Sequence, residues 1–308
     1  MLLIQYFSNF IVIARLMAIK TNTIVLMIFQ YTTFYFIARK VCTTLEHFIW
    51  NIDPTILHLG PLQLRWYGLL FVGSFFLGLM ILQKIYTREN RDPLVLDNLL
   101  IYVMAGAVIG ARLMHCFAYE PTFYLSHPLE ILKVWKGGLA SHGGLLGVLT
   151  ALFLFAKRYN ESYFWLLSRM TIPGALTASF VRFGNLFNSE ILGLPTDKPW
   201  AIIFERVDML PRHPVQLYEA FSYLTLFLLL IFVYKKVSAS MATKILPGIF
   251  LTIMFTVRFL LEYTKTRQAD YTTSLPFTTG QMLSVPFIII GIVWILWAFK
   301  SLNAPHKE

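Results

Sequence analysis

The chain has 308 residues, 57% of them hydrophobic and only 14% charged. So much apolar surface is hard to bury in water-soluble domains of ordinary size, and the bilayer is the better solvent for it. The formal charge of +10 does not argue for a nucleic-acid partner, because Lys and Arg gather at the ends of apolar runs and not along one basic stripe. Cys42 and Cys116 are too few for a disulfide framework or a cysteine-rich zinc site.

In chain order, residues 1–48 form an N-terminal extension. Its segment 23–38 is apolar, short for a membrane span, and flanked on both sides by Arg15, Lys20, Arg39 and Lys40. It is read either as an extra N-terminal helix or as sequence upstream of a translation start near Met27 or later. No small-residue cleavage site precedes Arg39.

Residues 49–300 form the membrane-embedded body and 301–308 a cytoplasmic tail. Apolar runs predict about seven transmembrane helices at 64–85, 99–117, 138–155, 164–180, 217–234, 245–263 and 282–299, an all-α polytopic fold. Basic residues follow the first span (Lys84, Arg88, Arg91), the third (Lys157, Arg158), the fifth (Lys235, Lys236, Lys244) and the last (Lys300, Lys307). The positive-inside rule makes those ends cytoplasmic, leaves 120–137, 190–216 and 265–279 outside, and puts the C-terminus inside.

Ionisable groups at membrane depth are costly and usually face a cavity, a partner or a substrate. The run VRFGNLFNSE at 181–190 gathers Arg182, Asn185, Asn188 and Glu190 at the outer end of an apolar helix. Arg182 and Asn185, three apart, share a helical face, and Gly184 leaves room for a close approach. An interfacial Arg182–Glu190 pair is the plainer reading of the same residues. Arg258 and Glu262, i and i+4 in the sixth span, are expected to neutralise each other. They either hold helices together or join Arg182 in gripping an anionic lipid headgroup. His142 lies among glycines near the outer end of the third span and is either a packing residue or a base. Arg112 and His115 fit a polar helix contact at least as well as a catalytic role. Glu219 suits the positive end of the fifth span. No HExxH helix, GxSxG elbow or P-loop is present, so the site is expected to lack a metal, a cofactor and a nucleophile of its own.

An ordered set of motifs resembles the prolipoprotein diacylglyceryl transferase family. These are LRWYG at 64–68, GGLASHGGLLG at 137–147, the 181–190 run, RHP at 212–214, QLYE at 216–219, then Arg258, Glu262 and GQMLS at 280–284. The resemblance implies a seven-helix body in the bacterial inner membrane with a cavity open to the outer, periplasmic leaflet. It implies transfer of the diacylglyceryl group of phosphatidylglycerol to the lipobox cysteine thiol of a preprolipoprotein signal peptide, giving a thioether and glycerol phosphate. The partners are then these two substrates and membrane lipids, with no nucleic acid. By the same resemblance Arg182 binds the headgroup, Arg258 stabilises the leaving phosphate, His142 or Glu262 is the general base, and Tyr67, Asn185, Asn188 and Glu190 shape the pocket. Val181, Ser168 and Met254 depart from the family pattern at positions expected to touch that pocket. The basic residue after Glu262 is either Lys265 or Arg267. A small-anion transporter is the alternative, and the lack of an inverted repeat speaks against it.

Overall fold

The computed structural model describes residues 47–59, 62–134, 137–266 and 277–301. The 23–38 segment, Cys42, Trp135, Arg267 and 302–308 lie outside the described residues. Three short strands come first among the described residues, β1 (Phe48–Trp50), β2 (Thr55–Leu59) and β3 (Leu62–Arg65). The helices are α1 (Trp66–Arg88), α2 (Leu96–Met114, extended by a π-helical turn His115–Tyr119), the short α3 (Pro121–Ser126), α4 (Ser141–Arg158), α5 (Tyr163–Phe187), α6 (Val215–Lys236), α7 (Ala239–Leu261) and α8 (Thr279–Lys300). Strands β4 (Ile202–Phe204) and β5 (Pro211–Arg212) interrupt the loop between α5 and α6.

Each expected span falls on one long helix, so the apolar runs marked the helices well. Five helical stretches are long and apolar enough to cross a membrane: α1, Pro93–Tyr119, α6, Ala239–Thr264 and α8. The two others differ for physical reasons. Helix α4 begins with glycines and ends on Lys157 and Arg158. Helix α5 is the innermost, with Ser168, Arg169, Thr171, Ser179 and Asn185 all buried, and a helix wrapped by protein can carry polar groups that lipid would reject. The main core is built from α1, α2, α4, α5, α6 and α7, with Tyr86, Leu99, Phe155, Leu166, Ile172, Leu230 and Leu246 among its fully buried residues.

The strands were not expected. Strand β1 pairs in parallel with β4, Phe48 opposite Ile202, and β4 continues antiparallel to β5. Phe48, at the expected domain boundary, is thus paired to the body. Strands β2 and β3 make a separate hairpin leading into α1. Ring stacking of Trp66 on Phe187 at 4.9 Å, with Trp50 edge-on to Phe187 at 5.5 Å, clasps the start of α1 to the end of α5.

Helices α2 and α4 meet backbone to backbone. A Cβ on Gly143 or Gly147 would collide with the carbonyl oxygens of Gly110 and Gly106, so only glycine permits this crossing. Arg112, 3% exposed, belongs to the same corner and is structural. Its guanidinium donates to the carbonyls of Glu130 (2.6 Å), Ile131 (2.9 Å), Gly137 (2.6 Å) and Gly138 (3.2 Å), fixing the loop that delivers α4.

At the opposite end of the bundle Arg169, fully buried, meets Glu89 at 2.7 Å, and Trp165 and Tyr234 donate to the same carboxylate at 2.6 and 3.0 Å. Ser168 belongs here, donating to the Ala242 carbonyl at 2.9 Å. It therefore does not touch the pocket around Arg182, contrary to the expectation from sequence: with 1.5 Å of rise per residue, the fourteen positions between them amount to about 20 Å. Burial pushes the Glu89 carboxyl up, but the bonds from Arg169, Trp165 and Tyr234 and the Arg169 charge outweigh it and hold the group below the usual carboxylate range. A depressed carboxylate contributes stability above its unfolded value of 4.5, and that stability is lost as pH falls through the lower folded value. Wild type should therefore lose thermal stability in detergent below about pH 4.5 more steeply than Glu89→Gln. Parallel acid profiles of the two proteins would remove Glu89 from this role.

Candidate functional site

Helix α5 carries the polar run at its far end. Arg182, on the last turns, places its Nε 3.1 Å from Glu219 Oε2 of α6 and donates through a terminal nitrogen to Asn185 Oδ1 at 3.3 Å. The chain then leaves the helix through Ser189 and Ile191, both with left-handed φ (53° and 55°). That conformation is strained for a β-branched residue, and it brings the Glu190 carboxylate back to Asn185 Nδ2 (3.2 Å) and Asn188 Nδ2 (2.7 Å). Gln216 Nε2 locks the bend by donating to the Glu190 carbonyl at 2.6 Å. Arg182 thus pairs with Glu219 and not with Glu190, whose partners are the two asparagines.

Gly184 is filled from outside by Tyr67. A Cβ there would lie 2.6 Å from the phenol ring. Tyr67 also lies within electrostatic reach of both Arg182 and Glu190. The structure therefore brings Tyr67, Arg182, Asn185, Asn188 and Glu190 together at one place.

Behind this group runs an ion chain across three helices that sequence reasoning missed. Glu219, with no exposed side-chain surface, receives Lys265 Nζ on Oε1 at 2.8 Å, while its other oxygen faces Arg182. Lys265 also stands 3.4 Å from Glu262, which accepts a hydrogen bond from Thr278 at the cap of α8 (3.1 Å). Gly280 leaves space for this carboxylate, since a Cβ would sit 2.5 Å from it. Glu262 is therefore held by Lys265 and Thr278, and the expected Arg258–Glu262 pair is absent. Spacing within one helix favoured that pair, but α7 gives way after Leu261 to a 3₁₀ turn, Glu262–Thr264. Arg258 is left half-buried with no ion pair among the described residues. Arg258, Arg182 and Glu219 all act electrostatically on Tyr223, whose hydroxyl lies 3.4 Å from Glu219.

His142 lies in the first turn of α4 and is exposed. No hydrogen bond or ion pair among the described residues joins it to the Arg182 network. His115, beside Gly138, faces Glu120 at 3.6 Å. The RHP motif is tied into the loop between α5 and α6: Arg212 binds Asp208 and the Gly193 carbonyl, and His213 bonds to Tyr218, which also accepts from Trp200 at 2.7 Å.

The profile of the prolipoprotein diacylglyceryl transferase family matches residues 54–297. The chain belongs to that family. The phosphatidylglycerol–prolipoprotein diacylglyceryl transferase of Tolumonas auensis is 51% identical to it, over 82% of this chain and 98% of that protein. The protein of the same name from Chloroherpeton thalassium is 50% identical over 84% and 97%, and one from Bacteroides fragilis 40% over 82% and 95%. Family membership and the apolar helices together make this a multi-pass membrane transferase.

Proposed function

We infer that the chain catalyses the reaction its relatives are named for, moving the diacylglyceryl group of phosphatidylglycerol to a prolipoprotein, the first step of lipoprotein maturation. The acceptor is the thiol of the lipobox cysteine. Its sulfur bonds to the glycerol carbon of the diacylglyceryl group, the bond from that carbon to the phosphate oxygen breaks, glycerol phosphate leaves, and the thiol proton passes to a base. All seven long helices span the inner membrane, the site opens to the outer leaflet, and the C-terminus is cytoplasmic. The basic ends of α1, α4, α6 and α8 support this orientation.

The observation that carries the reading is the pairing of the site's inner cations. Arg182 and Lys265 share Glu219, Lys265 also meets Glu262, and Arg258, half-buried, has no ion pair among the described residues. An unpaired guanidinium inside an apolar bundle calls for an anion, and one phosphodiester supplies a single negative charge. Arg182, already oriented by Asn185 and Glu219, grips the headgroup, and Arg258 meets the charge that grows on the departing phosphate. Tyr67, Asn185, Asn188 and Glu190 shape the headgroup pocket.

A thiol of ordinary pKa near 8.5 must be deprotonated to attack. We assign this to His142. Glu262 is the weaker candidate because Lys265 and Thr278 already stabilise its charge. Phosphatidylglycerol vesicles with labelled acyl chains and a lipobox peptide provide the assay. Wild type transfers the label, and His142→Gln should lose about 100-fold or more in kcat/KM. An unchanged kcat/KM in His142→Gln would move the base to Glu262. Failure of wild type to transfer label from any phospholipid would overturn the reaction itself.

A further inference from the structure

The base assigned above stands on a helix that does not hold its own start. Helix α4 begins at Ser141, and its N-cap, Ala140, has no side-chain acceptor for the free amides of the first turn. What fixes that turn comes from α2. The Ala140 N–H donates to the Ala111 carbonyl at 3.0 Å. Gly143 packs so closely that a Cβ on it would lie 2.2 Å from Met114 Cβ and 2.3 Å from the Gly110 carbonyl oxygen. His142 sits between these two contacts, so the end of α2 sets where its backbone stands.

His115 completes this frame. It opens the π-helical turn His115–Tyr119, a form met mostly as single turns and frequently at functional sites. Its Nε2 faces Glu120 Oε1 at 3.6 Å, and its ring stacks on Tyr119 at 5.9 Å and meets Tyr124 edge-on at 6.0 Å. So held, the ring lies against Gly138, where a Cβ would be 2.5 Å from Nε2 and 2.8 Å from Arg112 Nη1. Gly137 and Gly138 have φ of 86° and 72°, a path that a side chain would resist. Arg112 fastens the carbonyls of both, His115 covers the Cα of the second, and the same motif reaches His142 four residues on.

We propose that His115 is a positioning residue for the transfer reaction: by pinning Gly138 against α2 it fixes the entry of the chain into α4 and with it the place of His142. This rests on His142 being the base. A base displaced by about 1 Å can cost up to about 100-fold in rate, so a side chain that touches no substrate can still govern the chemical step.

The test is a double-mutant cycle in the assay with phosphatidylglycerol vesicles and a lipobox peptide. His115→Ala should lower kcat about tenfold with KM for phosphatidylglycerol within about twofold, since the donor's contacts lie on other helices. In the His142→Gln background the same change should cost nothing further, because no base is left to displace. His115→Gln, which can still donate to Glu120, should recover part of the rate, and it carries the same cycle where His115→Ala fails to fold. Losses that multiply in the double variant, or a His115→Ala that keeps the wild-type kcat, overturn the proposal. His142→Gln at full rate would instead remove the base, and the positioning role with it.

Discussion

Arg258→Ala should lower transfer by about 100- to 1,000-fold, the loss typical of removing one preorganised donor from a charge-developing site. The guanidinium has no carboxylate among the described residues, so its removal breaks no ion pair and leaves Glu262 with Lys265 and Thr278. Folding should accordingly survive, and thermal unfolding in detergent should move little. Because charge builds on the phosphate oxygens only as the carbon–oxygen bond breaks, kcat should fall more than KM for phosphatidylglycerol rises. Arg258→Lys keeps the charge but not the planar fork, and should recover part of the rate. If well-folded Arg258→Ala retained activity within about threefold, the assignment of this arginine to the leaving group would be lost.

The long helices were legible as apolar runs, five of them of membrane length and hydropathy, and the 181–190 cluster because its polar residues had no reason to lie in lipid. Partners on separate helices were not legible. Glu219 looked like a residue suited to the positive end of α6, yet it is the fifth helical residue and serves a different purpose, joining Arg182 to Lys265. Lys265 and Arg267 could not be ranked from spacing. The structure puts Lys265 in the network by bending the chain after Leu261 and pairing it backward to Gly193. Arg258 and Glu262 show the limit of a periodicity argument, which assumes that a helix continues through both residues. Strands β1 and β4 lie about 150 residues apart and are too short for an alternating pattern, so their pairing left no mark in the sequence. Arg112 carried a signal that pointed to a helix contact, and its actual partners are loop carbonyls, which a sequence cannot reveal because every residue has one.

Glu219→Gln should produce the largest loss of stability, about 3–5 kcal/mol, because it removes the common counter-ion of two cations that have little access to water. Arg182 is 15% and Lys265 7% exposed in their side chains, and the glutamate between them is fully buried. With the carboxylate replaced by an amide, the negative charge is gone, and while one cation meets the amide oxygen the other meets an NH2 donor. Transfer should fall as well, since Arg182 would lose the contact that aims it and Lys265 would lean further on Glu262. The double variant Glu219→Gln/Lys265→Met separates the two effects. By removing one stranded cation it should recover a measurable part of the melting temperature, while Arg182 stays unanchored and transfer stays low. A single variant that melts with wild type and transfers at its rate would show that the carboxylate is dispensable, and the ion chain would then be a by-product of packing with no part in aiming Arg182.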